Sequence, residues 1–226
     1  MDFEKIANEA LSVSRILRNR LDLADKSGLR HFTGGKSPAQ ARKKGEALAE
    51  LQNQASECRK CEIGRQRTNL VFGRGNPDAD LVFIGEAPGY HEDRQGLPFV
   101  GRAGQLLDKI IVAMGFDVKD VYIGNILKCR PEGNRNPSPQ EIVRCMAFLE
   151  KQIEIISPKV ICAVGGIASK SLLSTQKSIG ALRGRFHEFR GIPLMATYHP
   201  AYLLRNPSDK KKTWEDVQKI RDFLLL

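Results

Sequence analysis

The run Leu81-Val82-Phe83-Ile84 is apolar at every position and breaks at once into Gly85-Glu86-Ala87-Pro88-Gly89. Such a run reads as a buried strand, one that needs cover on both faces. Its glycine- and proline-rich end cannot continue the strand. The Glu86 carboxylate is therefore delivered to a sheet edge, where α/β proteins build their sites. A second rigid loop, Tyr198-His199-Pro200-Ala201-Tyr202-Leu203-Leu204-Arg205, comes more than a hundred residues later and supplies a histidine, paired leucines and an arginine.

Between and beyond these loops the pattern alternates. Strands are expected at Leu81–Ile84, Val121–Asn125, Val160–Val164 and Pro193–Thr197. Helices are expected near 104–114, over Pro139–Ile156 behind a Ser138 cap, near 167–173 and over 212–225. Alternating strands and helices predict an α/β fold of three layers, α/β/α, around a mostly parallel central sheet. With 226 residues, 41% of them apolar, the chain can bury one substantial core. That domain is expected over residues 51–226.

Ahead of it, Phe3, Ile6, Ala10, Val13, Leu17 and Leu21 recur at helical spacing. Residues 1–24 thus read as an amphipathic helix that docks on its own domain or on a protein partner. Residues 25–50 turn polar and small and read as a flexible linker. Gly35-Lys36-Ser37 lacks the preceding strand and first glycine of a phosphate loop and is set aside.

The formal net charge is +10. The first 57 residues hold ten Lys/Arg against eight Asp/Glu, so most of the excess lies in the expected domain. This favours a polyanionic partner such as nucleic acid. No stretch approaches the ~20 apolar residues of a membrane span, and the start lacks the signal-peptide pattern. A cytoplasmic, membrane-free monomer is expected.

Cys58-Arg59-Lys60-Cys61 places two thiols one short turn apart, and Cys129 and Cys145 follow singly. In a cytoplasmic chain this argues for metal binding over disulfides, either zinc or iron-sulfur. Structural zinc usually takes two tight pairs, so the scattered third and fourth ligands favour a [4Fe-4S] cluster. Cys162, inside an apolar strand, reads as a core residue.

Four ordered segments, Gly85 to Asp93, Leu97 to Gly104, Asn125 to Pro131 and His199 to Arg205, together with the cysteine quartet, closely resemble the family 4 uracil-DNA glycosylases, iron-sulfur enzymes of bacteria and archaea. The resemblance covers about residues 50–226. It implies the uracil-DNA glycosylase fold and a [4Fe-4S] cluster on Cys58, Cys61, Cys129 and Cys145. It also implies single- or double-stranded uracil-containing DNA as substrate and a monofunctional base-excision enzyme that leaves an abasic site.

Such an enzyme must draw a base from the stack, read its edge and stabilise both a sugar cation and a departing base anion. The resemblance implies that Phe99 stacks on the flipped uracil. Asn125 would donate to O4 and accept from N3–H, a pattern cytosine inverts. His199 would donate to O2 as charge develops; His31, His91 and His187 match no functional position. Glu86 stands where the classical uracil-DNA glycosylases carry glutamine, and Ala87 where they carry the water-activating aspartate.

Glu86 would then position water or the sugar cation, with the Ala87 N–H near O2. Glu92 would crowd C5 and exclude thymine. Leu203 and Leu204 would wedge into the duplex with Arg205 near a phosphate, while Lys128, Arg130 and Arg135 form a basic loop on the DNA backbone. The alternative is a non-catalytic iron-sulfur DNA-binding subunit; retention of Asn125 and His199 speaks against it. A related reading, a covalent histidine adduct with the abasic sugar, needs a basic insertion after Gly104, where this chain runs directly into a helix.

Overall fold

A computed structural model describes residues 38–225. The helix expected over 1–24 and the linker up to residue 37 lie outside them. In chain order the described elements are α1 (Pro38–Ser56), α2 (Glu62–Gln66), β1 (Arg74–Gly75), β2 (Leu81–Gly85), α3 (Tyr90–Gln95), α4 (Arg102–Ala113), β3 (Tyr122–Asn125), α5 (Pro139–Ile156) and β4 (Val160–Val164). Then come α6 (Gly166–Leu173), α7 (Ile179–Leu182), β5 (Phe186–Phe189), β6 (Ile192–Thr197), α8 (Pro200–Arg205) and α9 (Lys210–Leu225).

The sheet order is β1-β3-β2-β4-β6-β5. The four inner strands pair in parallel, and the short edges β1 and β5 are antiparallel. From β2 the chain steps to β3 on one side and then crosses back to β4 on the other. The carboxyl end of β2 is therefore a topological switch point, the place where open α/β sheets leave a crevice.

Period-2 alternation divides the core. Val82, Ile84, Ile161, Ala163, Leu194 and Ala196 face one helical layer, containing α1, α5 and α6. Leu81, Phe83, Ile123, Val160, Cys162 and Met195 face the other, containing α4 and α9. Every residue of β2 and β4 is buried, as the continuous apolar runs require. Each such Leu, Ile or Phe contributes about 1.5–3 kcal/mol on leaving water. Cys162 is a core residue, as read.

Helix α5 has the predicted bounds. Ser138 caps it, accepting from the Glu141 N–H at 3.3 Å, while the Glu141 carboxylate accepts from the Ser138 N–H at 2.7 Å. One expectation fails: residues 38–50 are not linker but most of α1. Its polar sequence hides a narrow stripe, Leu48, Leu51 and Ala55, which buries against the core. Lys44 pins it further, reaching Asp78 and the Ile156 carbonyl, each at 2.7 Å.

Candidate active site and cysteine cavity

A cleft of about 460 Å³ opens at the switch point, and Glu86, Ala87, Glu92, Phe99, Asn125, His199 and Arg205 line it. Three strand ends bring them together. Glu86 follows β2, Asn125 ends β3 in register with Gly85, and His199 follows β6. The β2 and β3 loops stay paired beyond the sheet, Gly85 O accepting from Ile126 N at 2.9 Å and Glu86 O from Leu127 N at 3.0 Å.

Gly85 makes room beside the cleft. A Cβ there would stand 2.4 Å from Asn125 Oδ1 and 2.6 Å from the Phe99 ring, so only glycine lets both reach in. Asn125 is 2% exposed, and among the described residues no group hydrogen-bonds its side-chain amide. Phe99 holds a left-handed backbone, φ 55°, unusual for an aromatic residue. Arg74 maintains it by donating to Pro98 O at 3.0 Å and Phe99 O at 3.4 Å while pairing with Asp108 at 2.8 Å. The Phe99 ring stacks obliquely on His199, centroids 5.7 Å apart.

His199 also caps α8: its Nδ1 accepts from the Ala201 N–H at 3.1 Å. The neutral ring must then carry its proton on Nε2. Burial, with Arg205 adding to it, pulls its pKa down to about 4, so the ring is neutral at physiological pH. Burial pushes the Glu86 carboxyl up from its ordinary value.

Glu92 does not point one free oxygen at the cleft. Its Oε1 accepts from Val100 N at 3.0 Å and Gly101 N at 3.1 Å, and its Oε2 from Gly89 N at 3.2 Å. It clasps the two loops that frame the cleft.

On the rim, Arg205 and Leu204 are exposed, whereas Leu203 is fully buried against the core of α4 and α9. Leu203 is no wedge, because adjacent helical residues point about 100° apart and only one of the pair can face out. Arg130 stacks over the exposed Tyr90 ring at 5.2 Å and bonds Asn134 at 2.7 Å. Arg135 pairs with both oxygens of Glu141, at 2.7 and 2.9 Å, and keeps one face in the cleft.

Lys128 corrects a further expectation. It is 1% exposed and contacts no surface; its Nζ donates to Asn125 O at 2.8 Å and to Gln152 Oε1. Burial pulls its pKa down to about 8, against the pull of the nearby Cys145 and Cys129 sulfurs. Arg74 and Gln152 are the residues that the sequence reading missed; neither lies in a motif that would have flagged it.

Behind this lysine, Cys58, Cys61, Cys129 and Cys145 line one small apolar cavity. None is in a disulfide. Arg67 donates to Cys129 Sγ at 3.2 Å and the Lys128 N–H to Cys145 Sγ at 3.3 Å. Among the described residues, no three Cys, His, Asp or Glu converge closely enough to hold a single ion.

A switch-point cleft lined by Glu86, Phe99, Asn125 and His199 is what the comparisons with known proteins must account for. Residues 72–218 match the family model of the uracil DNA glycosylase superfamily. A type-4 uracil-DNA glycosylase of Thermotoga maritima is 42% identical, the match covering 79% of this chain and 95% of that one. Its counterpart in Archaeoglobus fulgidus is 38% identical over 79% of this chain and 94% of that one. A type-5 enzyme of Pyrobaculum aerophilum is 30% identical over 57% of this chain and 64% of its own. The chain belongs to the type-4 uracil-DNA glycosylase family.

Proposed function

We propose that this protein hydrolyses the N-glycosidic bond of uracil flipped out of DNA and leaves an abasic site. The observation that carries the reading is the Asn125 amide, all but buried in the cleft and without a partner among the described residues. Once a base closes over the amide, leaving it unpaired would cost about 1–3 kcal/mol, so the site favours a complementary base edge. Uracil offers O4 as acceptor and N3–H as donor. Cytosine offers the reverse and would leave both ends of the amide unpaired.

The remaining residues divide the work. Phe99 supplies the flat wall against which the base rests, a contact worth ~1–3 kcal/mol. His199, neutral and protonated on Nε2, donates to O2 as the departing base gathers negative charge. A neutral donor there needs no proton transfer. Glu86, once ionised, opposes the positive charge growing on the sugar and orients the attacking water. No carboxylate stands at Ala87 to act as a general base. Lacking a lysine nucleophile in the cleft lining, the site is read as monofunctional.

Cys58, Cys61, Cys129 and Cys145 would hold the [4Fe-4S] cluster. Each iron of such a cluster takes its own thiolate, which suits four sulfurs spread around a cavity better than a single ion does. N–H donors to two of the sulfurs and the flanking Arg67, Lys128 and Arg144 suit an anionic group. The cluster, when bound, is a staple that joins the segment before the sheet to the β3 loop and α5. On the rim, Leu204 enters the duplex while Arg130, Arg135 and Arg205 meet phosphates. No described helix is long and apolar enough to cross a membrane; we read the protein as a cytoplasmic monomer.

The test is incubation with a uracil-containing oligonucleotide followed by alkali. Breaks at uracil only, and only after alkali, are expected, with thymine and cytosine strands intact. Asn125→Asp, which removes the donor to O4, should lower uracil excision roughly 10²-fold. Intact strands from protein that carries its cluster would turn the reading to a DNA-binding subunit.

A further inference from the structure

Lys128 is a buried cation with no carboxylate partner among the ion pairs of the described residues. Its neighbours are unusually well defined. The Nζ donates to the Asn125 carbonyl at 2.8 Å and to Gln152 Oε1, and it lies 5.9 Å above the Phe72 ring. Gln152 is in turn fixed, its Nε2 donating to Phe72 O and Tyr122 Oη, each at 3.0 Å.

The backbone of the same residue faces the other way. Its N–H donates to Cys145 Sγ at 3.3 Å, and Cys129 follows it directly in the chain. A charge taken out of water needs compensation, and Gln152 is neutral. Lys128 also lines the cysteine cavity, whose sulfurs would be thiolates when they hold a cluster.

We infer that Lys128 is a positioning residue that couples the cysteine site to uracil reading. With the cluster-bound thiolates as its countercharge, it holds the Asn125 backbone, and so the base-reading amide, at the cleft floor. The inference rests on the proposed roles of Asn125 and the four cysteines. Removing either the ammonium or the thiolate charge should loosen Asn125 and leave Glu86 and His199 in place. Uracil binding should suffer while turnover at saturation holds.

The experiment compares wild-type and Lys128→Met holoprotein, a substitution that keeps chain length and burial. Three readouts are taken: inhibition by free uracil, the KM and kcat pair on a uracil oligonucleotide, and the rate of iron loss to a chelator. Expected are roughly tenfold weaker uracil inhibition and a KM raised by a similar factor, the worth of one charge-assisted hydrogen bond. With kcat within about twofold of wild type, iron should also leave faster. Uracil affinity equal to wild type, whatever the rate of iron loss, overturns the coupling.

Should Lys128→Met fail to fold, chelator-stripped wild type supplies the same comparison. Weakened uracil binding by the stripped, still folded protein supports the coupling, and unchanged binding overturns it. Wild type that carries no iron as isolated would instead overturn the cysteine reading itself. Wild type that carries iron but ignores free uracil would overturn the role of Asn125.

Discussion

In the proposed reaction the cleft works through two side chains whose ionisation the fold shifts in opposite directions. His199, held near 4, stays neutral across the range where an ordinary histidine titrates, so the rate should show no inflection near 6.5. Glu86, raised by burial, must lose its proton to oppose a sugar cation. Activity should therefore rise with pH as that carboxylate ionises and then level off, which a pH profile of kcat/KM would check. Glu86→Gln should remove the rise, lower turnover roughly 10²-fold or more and leave DNA affinity within about twofold. The same His199 shift bears on folding. An unfolded histidine takes up a proton below about 6.5 that the folded one refuses until about 4, so stability should fall as pH drops through that window. Urea unfolding of wild type and His199→Gln at a series of pH values would show the variant's smaller dependence. At this scale the sequence was readable where a residue sat in a loop fixed by glycine or proline, as Glu86 and His199 do, or at a strand end, as Asn125 does. It misled at Lys128, because a lysine two residues before an arginine in a polar loop looks solvated and only the packing of Gln152 and Phe72 around it shows otherwise.

Among the elements, the strand ends matter more than the strands. Gly85→Ala should fold, since β2 stays buried, but the new Cβ meets Asn125 and Phe99 and must push one of them out of the cleft. Uracil excision should fall by at least roughly 10²-fold with cooperative thermal unfolding retained, measured by the alkali assay beside a melting curve. Strands β2 and β4 were legible because both faces are covered and the apolar run is unbroken, while β3 and β6 carry shorter apolar runs. The edge β5 was not, because Phe186-His187-Glu188-Phe189 mixes polar and aromatic residues as an exposed edge does. Helix α1 was missed for the reverse reason, three small contacts on an otherwise charged surface. The pairing of Glu92 with two loops likewise needed three dimensions, as its partners Val100 and Gly101 come eight and nine residues later.

For the molecule as a whole, the net charge of +10 sets the character of its contact with DNA. If Arg130, Arg135 and Arg205 each neutralise a phosphate, affinity should fall roughly forty-fold between about 50 and 200 mM salt. The slope should be the same for uracil and thymine duplexes, as a filter-binding series would read. A flat response would remove the arginine rim from the interface. The three-layer architecture was predictable from alternation alone, but the assembly of the cysteine cavity was legible only as a list of ligands. Its place behind the loop that follows β3 comes from the crossover that seats β3 beside β2. That wiring also sets a timetable during synthesis. Cys58 and Cys61 leave the ribosome long before Cys145, which rides on α5. At ~5–20 residues per second the early pair waits on the order of ten seconds as bare thiols. For that interval the nascent chain is open to oxidants and stray metals, and the proposed cluster would have no complete site to enter until well over half of the protein has been made.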